Sequence, residues 1–233
     1  MSQFLNTNTQ IISIEGNIGS GKSTLIESLK DKYKNNNRII FLREPVDEWE
    51  SVKDENGINM LQKFYADQEK YSFPFQMMAY ISRLALLKKA ISENPCAIIV
   101  TERSLFTDKM VFAKMLFDTN KIDSVSFQIY LKWFHTFADD FPIHKIIYVK
   151  TNPEICNERI NKRSRDGESN IPLDYLISCD KYHNDMLDLN GEFCVCKDQI
   201  ILDGNINIHK NENQLDDWFR EIDAFIFKFI SCV

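Results

Sequence analysis

Short apolar runs alternate with longer stretches of mixed polarity from one end of the chain to the other. The apolar runs are rich in isoleucine and valine and do not alternate strictly with polar residues, which is typical of strands buried on both faces of a parallel sheet. The longer stretches repeat their apolar positions at helical spacing. We predict five strands, at residues 11–14, 39–42, 97–100, 145–149 and 200–202.

Helical stretches fill the chain between those strands and follow the last one. Alternating strands and helices predict an α/β fold of three layers, in which a five-stranded parallel sheet is flanked by helices through right-handed crossovers. We expect one domain over residues 1–233, with ligands at the carboxyl ends of the strands. The predicted helices span residues 23–34, 73–92, 108–117, 123–137, 153–162, 172–189 and 213–230.

Residues 16–23, between the first strand and the first helix, fit the pattern G-x-x-x-x-G-K-[ST] of a phosphate-binding loop (P-loop). Glycines let the backbone N–H groups turn inward, and these donors hold polyphosphate together with the positive end of the helix. The lysine would reach the terminal phosphates and the serine would ligate Mg²⁺. The pattern therefore predicts a P-loop NTPase-like fold, with a loop made of Gly16, Asn17, Ile18, Gly19, Ser20, Gly21, Lys22 and Ser23.

Carboxylates follow the second and third predicted strands. Glu44, at a strand end beside a phosphate loop, suits a general base that takes a proton from an attacking hydroxyl; the alternative is a solvated acidic loop. Glu102 suits a Mg²⁺ ligand and Arg103 suits a contact to the transferring phosphate. The alternative for these two residues is a structural ion pair.

The densest basic cluster of the chain follows the helix predicted at residues 153–162. It includes Arg163 and Arg165 and is followed by a polar, glycine-containing segment. This pattern predicts a short arginine-rich lid at about residues 163–170, whose arginines would neutralise the transferring phosphoryl group and exclude water. The alternative is an ordinary solvated basic loop.

Gln76 lies on an otherwise apolar helix face. The large apolar residues around it would normally belong to the core. A buried amide needs hydrogen-bond partners, and the donor and acceptor of one amide together can read an edge of a planar base. Gln76 is therefore a candidate for base recognition.

The composition limits the possible partners. The 233 residues carry a formal net charge of −6, which disfavours general nucleic-acid binding. No apolar run approaches the roughly 18 residues of a membrane span. The first ten residues contain no lysine or arginine, unlike a secretory or mitochondrial leader, and we expect a cytoplasmic protein.

Taken together, the motifs make the chain similar to the cellular deoxynucleoside kinase family, in its branch of deoxycytidine and deoxyguanosine kinases. The resemblance covers nearly the whole chain and rests on G-N-I-G-S-G-K-S, E-P-V-x-x-W, S-F-x-F-Q, E-R-S and R-x-R-x-x-E. It implies transfer of the γ-phosphoryl group of ATP, with Mg²⁺, to the 5′-hydroxyl of a deoxynucleoside, as a step of nucleotide salvage.

The resemblance also implies roles for individual residues. Glu44 matches the catalytic base, and Arg103 matches the arginine at the 5′-oxygen and the phosphates. Lys22 is the catalytic lysine of the loop, Ser23 and Glu102 are the metal-associated pair, and Arg163 and Arg165 match the lid arginines. The implied nucleoside site comprises Glu44, Trp49, Leu61, Phe64, Tyr65, Phe75, Gln76, Ala79, Arg83, Arg103, Asp108, Phe112 and Glu168, with Tyr65 and Glu168 at the sugar 3′-hydroxyl.

Arg83 and Asp108 bear on the choice of base. Members of the family that prefer thymidine have apolar residues at the matching positions. A buried Arg–Asp pair is costly unless each partner finds further hydrogen bonds, and the exocyclic amino group of cytosine or the polar groups of a purine would supply them. We expect deoxycytidine or a purine deoxynucleoside to be preferred over thymidine; the alternative is a structural salt bridge. The choice among deoxycytidine, deoxyadenosine and deoxyguanosine and the preferred phosphate donor stay open.

We also expect a homodimer and feedback inhibition. A deoxynucleoside triphosphate would place its base in the nucleoside slot and its phosphates in the loop, as in the resembling family. The helical stretches at 75–92 and 124–137 carry more apolar surface than one buried face needs, and resembling kinases pair through this region. The apolar positions concerned are Met77, Tyr80, Leu84, Ile129, Trp133, Phe134 and Phe137.

Two other classes of protein fit the motifs less well. A nucleoside monophosphate kinase needs an arginine for its anionic acceptor, where this chain has Glu44 and aromatic residues. A non-catalytic member of the same fold tends to lose the loop lysine or the catalytic base, and both are present in this chain.

Overall fold

Five parallel strands form one sheet, which confirms the predicted fold class. The computed structural model describes residues 8–138, 140–163, 171–208 and 211–227, apart from the side chain of Glu212. The strands lie in the order β2-β3-β1-β4-β5, and every neighbouring pair is parallel. They are β1 (Gln10–Glu15), β2 (Ile39–Leu42), β3 (Ile98–Glu102), β4 (Lys145–Lys150) and β5 (Gln199–Asp203).

Helices connect the strands and cover both faces of the sheet. β1 lies at the centre of the sheet, between β3 and β4. The chain runs from β1 to β2 at one edge of the sheet and later from β3 to β4 on the other side of β1. Where connections diverge in this way, a crevice opens at the carboxyl ends of the strands. The helices are α1 (Lys22–Lys32), α2 (Val46–Ser51), α3 (Met60–Ala66), α4 (Gln68–Glu93), α5 (Leu105–Thr107), a π-helical segment (Asp108–Ala113), α6 (Lys114–Asp118), α7 (Ser124–Phe137), α8 (Pro153–Arg163), α9 (Leu173–Leu187) and α10 (Glu212–Phe227).

The core lies on both faces of the sheet and produces the three predicted layers. Helices α1 and α10 cover one face, where Ile12 and Val149 pack against Leu25 and Ile222. Helices α4 and α7 cover the part of the opposite face that β1, β2 and β3 form. The π-helical segment and α9 cover the rest of that face, around Tyr148. None of the described helices has both the length and the apolar composition of a membrane span.

Several helices differ from the predicted ones. Helix α4 begins at Gln68 rather than at residue 73, because the Asp67 side chain accepts the Lys70 backbone N–H and caps the helix ahead of Pro74. Helix α3 was not expected; Asn59 and Gln62 start it with a reciprocal capping box. The helix predicted at 108–117 consists of a π-helical segment and α6, two forms that apolar spacing alone does not distinguish.

The apolar surplus assigned to α4 and α7 is smaller than predicted. Tyr80, Leu84 and Phe134 are buried within the chain itself, because the facing sides of these two helices pack against each other and the sheet. The large apolar side chains that these helices do expose are Ile81, Val125, Ile129 and Trp133.

Candidate functional site

One cavity of about 690 Å³ opens at the carboxyl ends of the strands. The phosphate loop borders one end of the cavity, and an apolar slot between α2, α3 and α4 borders the other. Charged side chains that follow β2 and β3 lie between them. Of the predicted site residues, the cavity is lined by Ile18, Gly19, Ser20, Gly21, Lys22, Ser23, Glu44, Trp49, Leu61, Phe64, Tyr65, Phe75, Gln76, Ala79, Glu102, Arg103, Asp108, Phe112 and Arg163.

Two glycines allow the phosphate loop to pack tightly under the cavity. Gly16 has φ +145° and Gly19 has φ +77°, where a side chain is strained. A Cβ on Gly16 would lie 2.6 Å from the Val149 carbonyl oxygen, and one on Gly19 would lie 2.7 Å from that of Cys156. The loop therefore requires glycine at both positions. Its last two residues, Lys22 and Ser23, form the start of α1 and line the cavity.

The loop lysine is buried at the floor of the cavity. Lys22 Nζ donates to the Asn17 carbonyl oxygen at 2.7 Å. Burial, with a smaller contribution from repulsion by Arg103, lowers the pKa of Lys22 to about 8. Asn17 does not line the cavity; its side chain is buried and donates to the Leu176 carbonyl oxygen at 2.8 Å, which ties the loop to α9.

Ser23 and Glu102 bring two oxygen ligands together beside the loop. Ser23 Oγ donates to Glu102 Oε1 at 2.6 Å across a separation of 79 residues. Mg²⁺ prefers oxygen ligands and in nucleotide sites uses one or two protein groups together with the phosphates. The pair fits this pattern, although the described residues contain no cluster of three or more His, Cys, Asp or Glu that would hold a metal by itself.

Glu44 is held by two arginines. Arg103 Nη1 donates to both of its carboxylate oxygens at 2.8 Å, and Arg83 Nη2 donates to Oε1 at 2.9 Å. Burial alone would raise the pKa of Glu44, but the charges of Arg103, Arg83 and Lys22 outweigh it and lower the pKa to about 2. Glu44 is therefore a carboxylate at neutral pH, between the phosphate loop and the apolar slot.

Arg83 joins Glu44 to Asp108. Its Nε donates to Asp108 Oδ2 at 2.9 Å, and its Nη1 donates to the Glu102 carbonyl oxygen at 2.6 Å. Arg83 lies behind the cavity wall rather than in the lining, so Asp108 is the member of the pair that faces the cavity. Burial raises the pKa of Asp108 to about 6, against the opposing charge of Arg83.

The apolar slot is built from stacked and edge-on rings. Phe64 and Phe75 stack with centroids 4.6 Å apart, and Trp49 meets Phe75 edge-on at 5.4 Å. Trp49 Nε1 donates to Ser82 Oγ, which fixes the indole. Gln76 is buried in this wall, and its Oε1 has no hydrogen-bond partner in the structure. An unpaired buried amide oxygen in an aromatic slot suits a planar ligand that carries a donor.

Some predicted residues lie elsewhere or outside the described part of the chain. Gly16 lies beneath the cavity with Asn17, and Arg83 lies behind it. Arg165, Glu168 and most of the predicted lid at 163–170 fall outside the described residues. Arg163 ends α8 and borders the cavity.

Sequence reasoning missed the segment after β5. Residues 204–208 and Trp218 line the cavity next to Arg159, whose Nη1 donates to the Ser20 carbonyl oxygen at 3.1 Å. Tyr175 of α9 also lines it. Its position could have indicated this role, because residue 204 directly follows a parallel strand and ligands bind at the carboxyl ends of such strands.

The fold and the loop are those of P-loop NTPase-like proteins. A sequence model of the deoxynucleoside kinase family matches residues 12–227, and the chain belongs to this family. It is 39% identical over 184 residues to a probable deoxycytidine kinase of fowlpox virus, covering 78% of this chain and 73% of that protein. It is 33% identical to human deoxycytidine kinase over 78% of this chain and 76% of that protein. Mitochondrial thymidine kinase 2 of Macaca fascicularis is 28% identical over 86% of this chain and 72% of that protein.

Proposed function

We propose that this deoxynucleoside kinase phosphorylates deoxycytidine or a purine deoxynucleoside in preference to thymidine, with ATP and Mg²⁺, in nucleotide salvage. The observation that carries the preference is the buried Arg83–Asp108 pair, which presents a carboxylate to the cavity beside the aromatic slot. Names of relatives support it, since the fowlpox and human proteins are called deoxycytidine kinases.

The proposed reaction uses the charged groups between the two ends of the cavity. Glu44 takes the proton of the 5′-hydroxyl as its oxygen attacks the γ-phosphorus, and the bond to the β–γ bridging oxygen breaks. Arg103 stabilises the charge on the transferring group, and Lys22 holds the terminal phosphates. Ser23 and Glu102 would hold Mg²⁺, which would supply positive charge to balance that of the phosphates. Arg163 and Arg165 would close over the phosphates.

The base preference follows from what each base would leave unpaired. An exocyclic amino group donates to Asp108 and adds a partner to a pair that is costly to bury. The 5-methyl group of thymine would press an apolar group against the same desolvated carboxylate. Sites built around polar partners reject ligands that leave those partners unpaired. Gln76 contributes a second polar contact to the base edge.

A panel of deoxynucleosides tests this proposal. We expect the highest kcat/KM with deoxycytidine or a purine deoxynucleoside, and a shift toward thymidine in the double variant Arg83→Met with Asp108→Ala. Both residues are changed because a single change would strand a charge. A matched control removes the Lys32–Asp223 ion pair outside the site and should leave the preference unchanged. Wild-type preference for thymidine would overturn the proposal.

We also propose that the chain forms a homodimer through α4 and α7. Ile81, Val125, Ile129 and Trp133 expose apolar side chains on these helices, and Trp133 is 46% exposed. Contiguous exposed apolar side chains mark interaction sites. Light scattering should give twice the chain mass of 27.4 kDa, and Trp133→Glu should give the chain mass. Phe193→Glu, a control at an exposed ring outside these helices, should leave the dimer intact.

Feedback inhibition by a deoxynucleoside triphosphate completes the proposal. The cavity is continuous from the apolar slot to the phosphate loop, so one molecule has room to reach both ends. Its inhibition should be competitive toward the nucleoside in steady-state kinetics. Purely uncompetitive inhibition would contradict it.

The single domain, the lid and the cytoplasmic location stay predictions from the sequence.

A further inference from the structure

Glu15 is a buried carboxylate outside the cavity. It is the last residue of β1, it directly precedes the phosphate loop, and its exposed fraction is 0%. It lies on the face of the sheet opposite α1, as Ser13 and Ile11 do, because side chains alternate along a strand. Among the described residues no lysine, arginine or histidine forms an ion pair with it. A buried carboxyl group without a cationic partner needs hydrogen-bond partners instead.

Three hydroxyl groups are these partners. Ser13 Oγ donates to Glu15 Oε1 at 2.6 Å, and Ser104 Oγ donates to the same oxygen at 2.9 Å. Thr107 Oγ1 lies 2.7 Å from both carboxylate oxygens. Ser104 and Thr107 also form the capping box of α5, in which each hydroxyl accepts the backbone N–H of the other residue. The two hydroxyl oxygens also lie 3.0 Å apart, so the capping box and the Glu15 side chain form one hydrogen-bonded cluster.

The capping box lies between two residues of the candidate site. Arg103 immediately precedes it, and Asp108 immediately follows it. Arg103 has φ +60°, a strained conformation for a residue with a side chain, which persists only where surrounding contacts enforce it. Its backbone N–H donates to the Ile14 carbonyl oxygen at 3.0 Å, so the backbone of β1 also holds this turn.

We propose that Glu15 is a positioning residue for phosphoryl transfer, which fastens the Arg103–Asp108 turn to the start of the phosphate loop. Its two oxygens connect the strand that carries the loop to both hydroxyls of the capping box. Arg103 and Asp108 are thereby held in a fixed position relative to the phosphate loop. The inference rests on the proposed role of Arg103, and it does not depend on which base is preferred.

Four variants test the proposal, each assayed with the deoxynucleoside that the wild type turns over fastest. Glu15→Gln keeps the shape but replaces one acceptor oxygen with a donor. Thr107→Val removes the hydroxyl and keeps the shape, whereas Thr107→Ser keeps the hydroxyl. Ser13→Ala is the matched control, because it removes a hydrogen bond to the same carboxylate and leaves both bonds to the capping box.

Glu15→Gln and Thr107→Val should lower kcat about tenfold or more, because small displacements of catalytic groups slow the reaction strongly. The dissociation constant for ATP should stay within about threefold of the wild-type value. Thr107→Ser and Ser13→Ala should keep kcat within about twofold. If Glu15 had a merely structural role, Glu15→Gln and Thr107→Val would lower the melting temperature, but their kcat would not differ from that of Thr107→Ser and Ser13→Ala. If Glu15→Gln does not fold, the two Thr107 variants still decide the question.

Combining Glu15→Gln with Arg103→Lys separates this inference from the proposed function. If Glu15 acts through Arg103, the double variant should be little slower than Arg103→Lys alone. If kcat falls in Arg103→Lys but not in Glu15→Gln or Thr107→Val, only the positioning role of Glu15 is overturned. Unimpaired Arg103→Lys would overturn the proposed role of Arg103 and, with it, this inference.

Discussion

The two ends of the cavity differ in how much of the chain each one uses. The phosphate end is made chiefly of residues 16–23, in which backbone N–H groups, glycines and one lysine lie next to one another along the chain. The acceptor end comprises the apolar slot and the charged side chains beside it, which come from several elements: Glu44 after β2, Arg103 after β3 and Asp108 from the π-helical segment, with Arg83 of α4 behind the wall. Backbone geometry organises the first end, and buried charge pairing organises the second.

Because of this difference, the two ends of the cavity tolerate different kinds of substitution. The phosphate loop is sensitive to the volume and conformation of its glycines, because carbonyl oxygens pack directly against them. The acceptor end is sensitive to removal of one charge, because its partners are then left buried and unpaired. Variants that alter a glycine or remove a charge therefore distinguish the two ends.

The largest effect is expected at the acceptor end. Glu44→Gln should lower kcat by roughly 10²–10⁴, the usual weight of general base catalysis, and should leave ATP binding nearly intact. The exposed neighbour Glu48→Gln is the control and should retain activity. Rapid-quench turnover and ATP titrations provide the measurements; near-normal turnover in Glu44→Gln would remove Glu44 as the base.

A smaller effect is expected at the phosphate end. Gly19→Ala should raise the KM for ATP roughly tenfold, because backbone strain of about 1–2 kcal/mol adds to a clash with the Cys156 carbonyl oxygen. Deoxynucleoside binding without ATP should not change. Gly57→Ala is the matched control: it also has positive φ, at +80°, but its Cβ would meet no atom within 4 Å. An equal rise in KM for both variants would contradict the role of loop packing.

An effect of about the same size concerns the pH dependence of base recognition. Asp108 has a pKa raised to about 6, so its carboxyl is ionised above that pH and accepts a hydrogen bond from an amino group. Lowering the pH from 7 to 5 should protonate it and lower kcat/KM for the preferred amino-bearing base about tenfold. The double variant Arg83→Met with Asp108→Ala should lack this titration. A pH profile identical in wild type and double variant would remove Asp108 from base recognition.

The comparison also explains which parts of the site were predictable. The phosphate loop was identified from eight consecutive residues, because its chemistry depends on neighbours along the chain. Glu44, Glu102 and Arg103 were identified because each follows a predicted strand of a parallel sheet. The segment at 204–208 follows a strand too, but its asparagines and isoleucines carry no charge that would single them out. Arg83 was expected in a pocket wall, and the structure places it behind the wall as a bridge to Glu44.

The amino-acid sequence was enough to predict the class of fold, the phosphate loop and the residues at the strand ends, because periodicity and local motifs specify elements and their termini. Which side chains contact one another is visible only in the folded chain. Arg83 reaches Glu44 across 39 residues, and Ser104 reaches Glu15 across 89. Such contacts form because crossover connections bring distant strand ends to the same edge of the sheet. Burial then excludes water, so each charged group can pair only with the groups packed beside it.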